Sequence, residues 1–156
     1  MANRLKLNAE LEHERQAMLR MPPLDLPLDT ATLIGQVPMF QGLDANQSKA
    51  LAAVLSSRFC LPGETVMTEG ETGQWMYFVV SGALQVALPE QSVLLGSGDF
   101  FGEMALINDE PRTATVTALG FCELLGLNRR AFDSVLGDFP KIKALVLETA
   151  GRRSRA

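Results

Sequence analysis

The spacing of apolar residues divides the chain into three parts. Up to about residue 57 the apolar residues recur at helical intervals, residues 58–127 consist of short apolar or alternating runs, and helical spacing returns from residue 128. Turn sequences such as PGE, GETG and GSGD separate the short runs, which is typical of antiparallel strands in a sandwich or barrel. The pattern predicts an α+β fold in which an antiparallel, jelly-roll-like β-roll lies between helices.

The helical part before the roll contains three predicted helices. Residues 4–20 show a weak amphipathic pattern with one charged side, and the prolines at 22–23 end it and begin a proline-rich linker. A short helix over residues 29–37 follows, capped by its first residue. Asp44 is a good N-cap for the next helix, over residues 45–57.

After the roll the sequence predicts two more helices. Asn128 caps the first of them, NRRAFDSVLGDF, and Pro140 opens the second. In the second helix Ile142, Leu145 and Val146 recur at helical spacing, so we expect them to face the core.

Composition sets the size of the fold. With 156 residues and 47% hydrophobic content, the chain has enough apolar material for one core. We expect a helical and linker segment over residues 1–36 and the main domain over residues 37–156. Cys60 and Cys122 lie in apolar runs without C-x-x-C spacing, which favours buried, reduced thiols.

Charge and hydropathy exclude several classes of protein. The net charge of −4 argues against a nucleic-acid partner, because duplex binders normally present a basic face. No apolar run is long enough to span a membrane, and the N-terminus does not resemble a signal peptide. The single histidine, His13, lies among charged residues, and no nucleophile and base pair or metal-ligand cluster is visible, so the sequence predicts neither an enzyme nor a metal site.

One stretch, GEMALINDEPR, interrupts the strand pattern with a helix-forming run. Gly102 followed by a short helix leaves free backbone N–H groups for an anion, and Arg112 at the start of the next strand could bind the same anion with two parallel hydrogen bonds. Each feature also has a simpler reading, since the glycine fits a chain reversal, Arg112 a surface charge and Glu103 a first helical turn. Local chemistry alone leaves these alternatives open.

The sequence FGEMALINDEPRTATV, residues 101–116, resembles the phosphate-binding cassette of the cyclic nucleotide-binding domain family. The resemblance extends over about residues 37–153: VPMFQGLD, the stretch LPGETVMTEGETGQWMYFVVSGALQV and LNRRAFDSVL are similar to the family's first helix, first hairpins and post-roll helix. It implies 3′,5′-cyclic AMP or cyclic GMP as the ligand, bound without a metal and without turnover.

The resemblance also assigns roles to residues. It implies that Arg112 pairs with the cyclic phosphate, that Glu103 accepts a hydrogen bond from the ribose 2′-hydroxyl, and that Gly102 lets the backbone approach the ligand. The backbone amides of Ala105 and Thr113 would complete the anion-binding position. The full set of expected ligand-binding residues is Phe101, Gly102, Glu103, Met104, Ala105, Arg112, Thr113, Ala114, Arg152 and Arg153.

The identity of the base stays open at this stage. Threonine at position 113 favours guanine in channel members of the family, but it also suits a strand start. Val66, Met67 and Leu95 are candidates to pack on the base, and each also fits plain core.

The C-terminal segment, residues 140–156, resembles the family's helix that closes over the base. Arg152 or Arg153 could stack on the purine or hydrogen-bond to it, and a solvated basic tail is the alternative.

The flanking segments suggest how binding is used. The helix and linker before residue 37 and the short C-terminal segment resemble the cytosolic C-terminal region of bacterial cyclic nucleotide-gated potassium channels and of cation/proton antiporters. That implies a cytoplasmic domain, a covalently linked transport domain in the inner membrane as its partner, and a homo-oligomer formed through the parent protein. The alternative is the effector domain of a catabolite activator-type transcription regulator.

Overall fold

Eight strands form two antiparallel sheets in the computed structural model, which describes residues 30–155. The first sheet has the order β1–β8–β3–β6 and the second the order β2–β7–β4–β5. The strands are β1 (Leu55–Cys60), β2 (Thr65–Met67), β3 (Trp75–Ser81), β4 (Leu84–Ala87), β5 (Ser92–Leu95), β6 (Phe100–Phe101), β7 (Thr115–Ala118) and β8 (Cys122–Asn128).

Helices lie before, within and after this roll, as the sequence predicts. They are α1 (Thr30–Ile34), α2 (Ala45–Val54), α3 (Glu103–Asn108), α4 (Arg129–Asp138) and α5 (Pro140–Arg155). The predicted caps are confirmed, because the Asp44 side chain accepts from the amide of Gln47 and the Asn128 side chain accepts from the amide of Ala131. The predicted fold class, an antiparallel β-roll with a short internal helix and C-terminal helices, is therefore confirmed.

Two predicted helices are shorter than expected. The helix expected over residues 29–37 ends at Ile34, and a 3₁₀ turn follows at Pro38–Phe40. The helix expected to reach residue 57 ends at Val54, because Leu55 already pairs with Leu127 of β8 as the first residue of β1. The helix predicted over residues 4–20 lies outside the described residues.

The core has two parts, one on each face of β3. Met76 and Phe78 point to the cluster that holds α1, α4 and α5, whereas Tyr77 and Val79 belong to the cluster between the two sheets. A strand covered on both faces explains why WMYFVV is apolar without alternation.

Two sequence expectations about the core are resolved. Cys60 and Cys122 are free and fully buried, opposite each other on β1 and β8. In α5, Ile142 and Val146 are buried as predicted, but Leu145 is 41% exposed. The reason is that the buried stripe of α5 runs through Ile142, Val146 and Ala150 at intervals of four residues, and Leu145 lies about 100° around the helix from Val146.

Candidate functional site

A cavity of about 1060 Å³ opens beside the short helix α3. Strands of the second sheet, the segment after β6 and one residue of α5 contribute to its walls. It is lined by nine of the ten residues expected to bind the ligand, namely Phe101, Gly102, Glu103, Met104, Ala105, Arg112, Thr113, Ala114 and Arg153. Arg152 does not line this cavity; it is exposed and donates to the hydroxyl of Thr149.

Gly102 shapes the turn into α3. Its φ of 89° is left-handed, and a Cβ there would lie 2.9 Å from the carbonyl oxygen of Trp75. Glycine alone meets both requirements without strain. The N–H groups at the start of α3, including that of Ala105, have no partner within the helix.

Arg112 is buried, with 7% of its surface exposed. Its Nη1 donates to the carbonyl of Gly102 at 3.0 Å and its Nη2 to the carbonyl of Trp75 at 2.6 Å. A guanidinium carries five N–H donors, so these two bonds fix the group and leave further donors for an anion. Burial lowers the pKa of Arg112 from its ordinary value, an effect that Tyr77 and Glu103 oppose.

The expectation that Arg112 begins a strand is wrong, since β7 begins at Thr115. The main chain of Arg112 instead bonds to a turn: its amide donates to the carbonyl of Glu71 at 2.8 Å, and its carbonyl accepts from the amide of Gly70 at 2.9 Å. These bonds satisfy the backbone outside any sheet and direct the arginine towards the roll.

Gly73 and Trp75 are contributors that sequence reasoning missed. A Cβ on Gly73 would lie 2.4 Å from the guanidinium carbon of Arg112, so the arginine occupies space that only glycine leaves. Gly73 belongs to the GETG turn, but nothing in that local sequence indicates the arginine 39 positions later that packs on it.

Glu103, the first residue of α3, is 1% exposed and is the other buried charged side chain of the described residues beside Arg112. Its Oε1 accepts from Nη1 of Arg153 at 2.6 Å. Burial raises the pKa of Glu103 above its usual range, and the charges of Arg153 and Arg112 counteract that rise. Its Oε2 is buried, and no residue in the described part of the chain donates to it.

Arg153 brings the end of α5 to the cavity. Besides the ion pair with Glu103, its Nη2 donates to the carbonyl of Phe100 at 2.8 Å, and its guanidinium lies 5.4 Å from the centroid of the Phe100 ring. The sequence suggested Arg152 or Arg153 as a contact for the purine, with a solvated basic tail as the alternative, whereas the partners of Arg153 here are Glu103 and β6.

Arg129 is a further residue that sequence reasoning missed. Its Nη2 donates to the carbonyls of Ala105 at 3.1 Å and Gly73 at 3.3 Å, and it lies 3.3 Å from the carboxylate of Asp109. One guanidinium therefore joins α3 to the turn that packs on Arg112.

Of the three candidates for contact with a base, two line the cavity and one does not. Met67 and Leu95 line the cavity, whereas Val66 packs against the core between the sheets. Thr113 is exposed and also lines the cavity.

Among residues 30–155, none of the helices combines the length and the apolar content of a membrane span. The same residues contain no group of three or more His, Cys, Asp and Glu side chains placed to hold a metal ion.

Comparison with known proteins gives a family and several relatives. A family model described as cyclic nucleotide-binding domain matches residues 57–138. A cyclic nucleotide-gated potassium channel of Rhizobium etli is 38% identical over 121 residues, which is 78% of this chain and 34% of the channel. This chain thus spans about a third of that relative's length.

Two solved structures share the fold. The regulatory domain of Toxoplasma gondii PKA with cAMP matches with a TM-score of 0.65 and 28% identity, over 79% of this chain and 49% of that one. The catabolite activator protein of Thermus thermophilus matches with a TM-score of 0.64 and 29% identity, over 76% of this chain and 58% of that one.

Proposed function

Because the chain belongs to the cyclic nucleotide-binding domain family, we propose that it binds a 3′,5′-cyclic nucleotide in the cavity beside α3. The observation that carries the proposal is the placement of a buried guanidinium and a buried carboxylate, Arg112 and Glu103, on the walls of one cavity. A buried charge without a partner costs free energy, and a ligand that carries one anionic group and one hydroxyl group supplies a partner for each of these two side chains.

Arg112 is proposed to bind the phosphate. A cyclic phosphodiester carries a single negative charge, so one arginine and the backbone N–H groups at Ala105 and Thr113 balance it without surplus charge. The bonds from Arg112 to Gly102 and Trp75 support this role, because they hold the guanidinium in place before the ligand arrives.

Glu103 is proposed to bind the ribose. A carboxylate repels a phosphate but accepts strongly from a neutral hydroxyl. Oε2 of Glu103, which has no donor among residues 30–155, supports this role, because it leaves one buried acceptor for the 2′-hydroxyl.

The choice between adenine and guanine is left to experiment. Thr113 can reach a ligand in the cavity, as guanine recognition would need, while the relative from Toxoplasma gondii was solved with cAMP. We propose cyclic AMP or cyclic GMP, bound without turnover and without a metal.

The proposed output is regulation of ion transport. The likeness to a potassium channel over 78% of this chain supports a cytoplasmic sensor joined to a transport domain in the inner membrane, assembled as a homo-oligomer through that parent. A cation/proton antiporter as the parent, and the division of this chain at residues 36 and 37, stay predictions.

A second candidate is the effector domain of a transcription regulator. The likeness to the Thermus thermophilus catabolite activator protein supports it. The sequence of the parent gene separates the two candidates, since a channel requires spanning helices and a regulator a DNA-binding domain.

Isothermal titration calorimetry tests the proposed binding. Cyclic AMP, cyclic GMP and linear 5′-AMP would be titrated into the purified chain in parallel. We expect at least one cyclic nucleotide to bind much more tightly than 5′-AMP, whose dianionic phosphate suits a single arginine poorly. Absence of binding by both cyclic nucleotides would contradict the proposal.

A further inference from the structure

The two carboxylate oxygens of Glu103 have different surroundings. Oε1 accepts from Nη1 of Arg153 at 2.6 Å, whereas Oε2 is buried and has no donor among the described residues. A buried acceptor without a donor costs free energy, and Glu103 lines the cavity. A donor that enters the cavity with the ligand would satisfy it.

We propose that Arg153 sets the selectivity of the site for ribose over deoxyribose, by holding Glu103 as an ionised acceptor whose free oxygen requires a ligand hydroxyl. This inference rests on the proposed function, because it concerns a cyclic nucleotide in the same cavity. It gives Arg153 the role of a positioning residue that acts through Glu103.

The charge of Arg153 matters because Glu103 is almost fully buried. An ionised carboxylate needs a charge partner at such a position, and without one it takes up a proton. A hydrogen bond from a hydroxyl to an ionised acceptor is about twice as strong as one to a neutral acceptor. Loss of Arg153 should therefore weaken the hydrogen bond from a 2′-hydroxyl to Glu103.

Arg112 does not replace Arg153 in this role. It is the other cation acting on Glu103, but Nη1 and Nη2 of Arg112 donate to the carbonyls of Gly102 and Trp75. Arg153, by contrast, reaches the carboxylate directly.

The position of Arg153 is set independently of a ligand. Its second amino group donates to the carbonyl of Phe100 at 2.8 Å, and its guanidinium lies over the Phe100 ring. Two contacts with β6 thus place the cation before binding, which is what a selectivity role needs.

The test compares the Kd of cyclic AMP with that of its 2′-deoxy analogue. In the wild type the 2′-deoxy analogue should have the higher Kd. Arg153→Ala should lower the ratio of the Kd of the 2′-deoxy analogue to the Kd of cyclic AMP by about tenfold, which corresponds to the difference between hydrogen bonds to a charged and to a neutral acceptor. Arg153→Lys, which keeps the charge, should retain most of the ratio. Arg152→Ala is the matched control, since Arg152 is exposed one residue away, and it should leave the ratio unchanged.

A double-mutant cycle makes the test specific to Glu103. In the Glu103→Gln background, Arg153→Ala should produce no further fall in the ratio, because the charged acceptor is already gone. If Arg153→Ala does not fold, Arg153→Gln removes the charge with little change in length.

Several results would overturn the inference. An equal loss of affinity for both ligands in Arg153→Ala would assign the arginine to the base or to helix packing, and a wild-type chain that binds both ligands equally would remove the ribose selectivity itself. Failure of the proposed function is distinguishable, because the wild-type chain would then bind neither ligand.

Discussion

At the scale of single residues, the position of Arg112 depends on a neighbour without a side chain. A Cβ on Gly73 would overlap the guanidinium at 2.4 Å from its central carbon. Gly73→Ala should displace Arg112 and weaken cyclic nucleotide binding by about tenfold or more, as calorimetry would measure.

Gly120→Ala is the matched control for that change. A Cβ at Gly120 meets nothing within 4 Å, so its affinity should equal that of the wild type. Unchanged affinity in Gly73→Ala as well would show that the ligand does not need Arg112 at this position.

Glu103 makes the stability of the ligand-free chain depend on pH. Burial raises its pKa in the folded state, so the folded chain binds the proton more tightly than the unfolded chain. The protonated carboxyl of Glu103 therefore contributes to the free energy of unfolding. This contribution is fully present below the ordinary pKa of a glutamate and is lost as pH rises through the raised pKa. Because glutamine does not titrate, the stability of Glu103→Gln should not fall in this way as pH rises.

Urea unfolding of the ligand-free proteins at about pH 4 and about pH 8 measures the effect. The free energy of unfolding of Glu103→Gln, relative to the wild type, should increase from the lower to the higher pH. A decrease over that range would mean that the ion pair with Arg153 outweighs burial and lowers the pKa.

At the scale of elements, α3 is anchored by α4. Arg129, the first residue of α4, donates to carbonyls of α3 and of the Gly73 turn. Arg129→Ala should reduce the free energy of unfolding by about 1–3 kcal/mol, because these carbonyls lose their donor. It should also weaken nucleotide binding, since the turn supports Arg112.

Arg130→Ala serves as the control for α4, because Arg130 is the next residue and is exposed. Urea unfolding and calorimetry on both variants make the comparison. Equal stability and affinity of the two variants would remove the anchoring role of Arg129.

Helices whose signals lie in nearby residues could be predicted from the sequence. Side-chain caps at Asp44 and Asn128 and the helix-forming run EMALI depend on neighbours in the chain, and the helices that they mark are present. The end of α2 and the backbone of Arg112 depend on pairing with β8 and with the Gly70 turn. Sequence patterns therefore misplaced both.

At the scale of the whole molecule, the candidate site combines one contiguous segment with distant supports. Residues 101–105 and 112–114 could be predicted as a group because they share a motif, and they line one cavity. The Gly73 turn, Arg129 and the pairing of Arg153 with Glu103 come from other parts of the chain. Only the tertiary fold brings them together, so no local pattern indicated them.

The most direct test of the account is calorimetric titration of cyclic AMP and cyclic GMP into the wild type, Arg112→Ala and the exposed control Arg130→Ala. Loss of the buried phosphate partner should cost about 2–5 kcal/mol, which is roughly 30-fold to several-thousand-fold in Kd, while the control binds like the wild type. Equal affinity of Arg112→Ala and the wild type would contradict the assignment of the phosphate to this cavity.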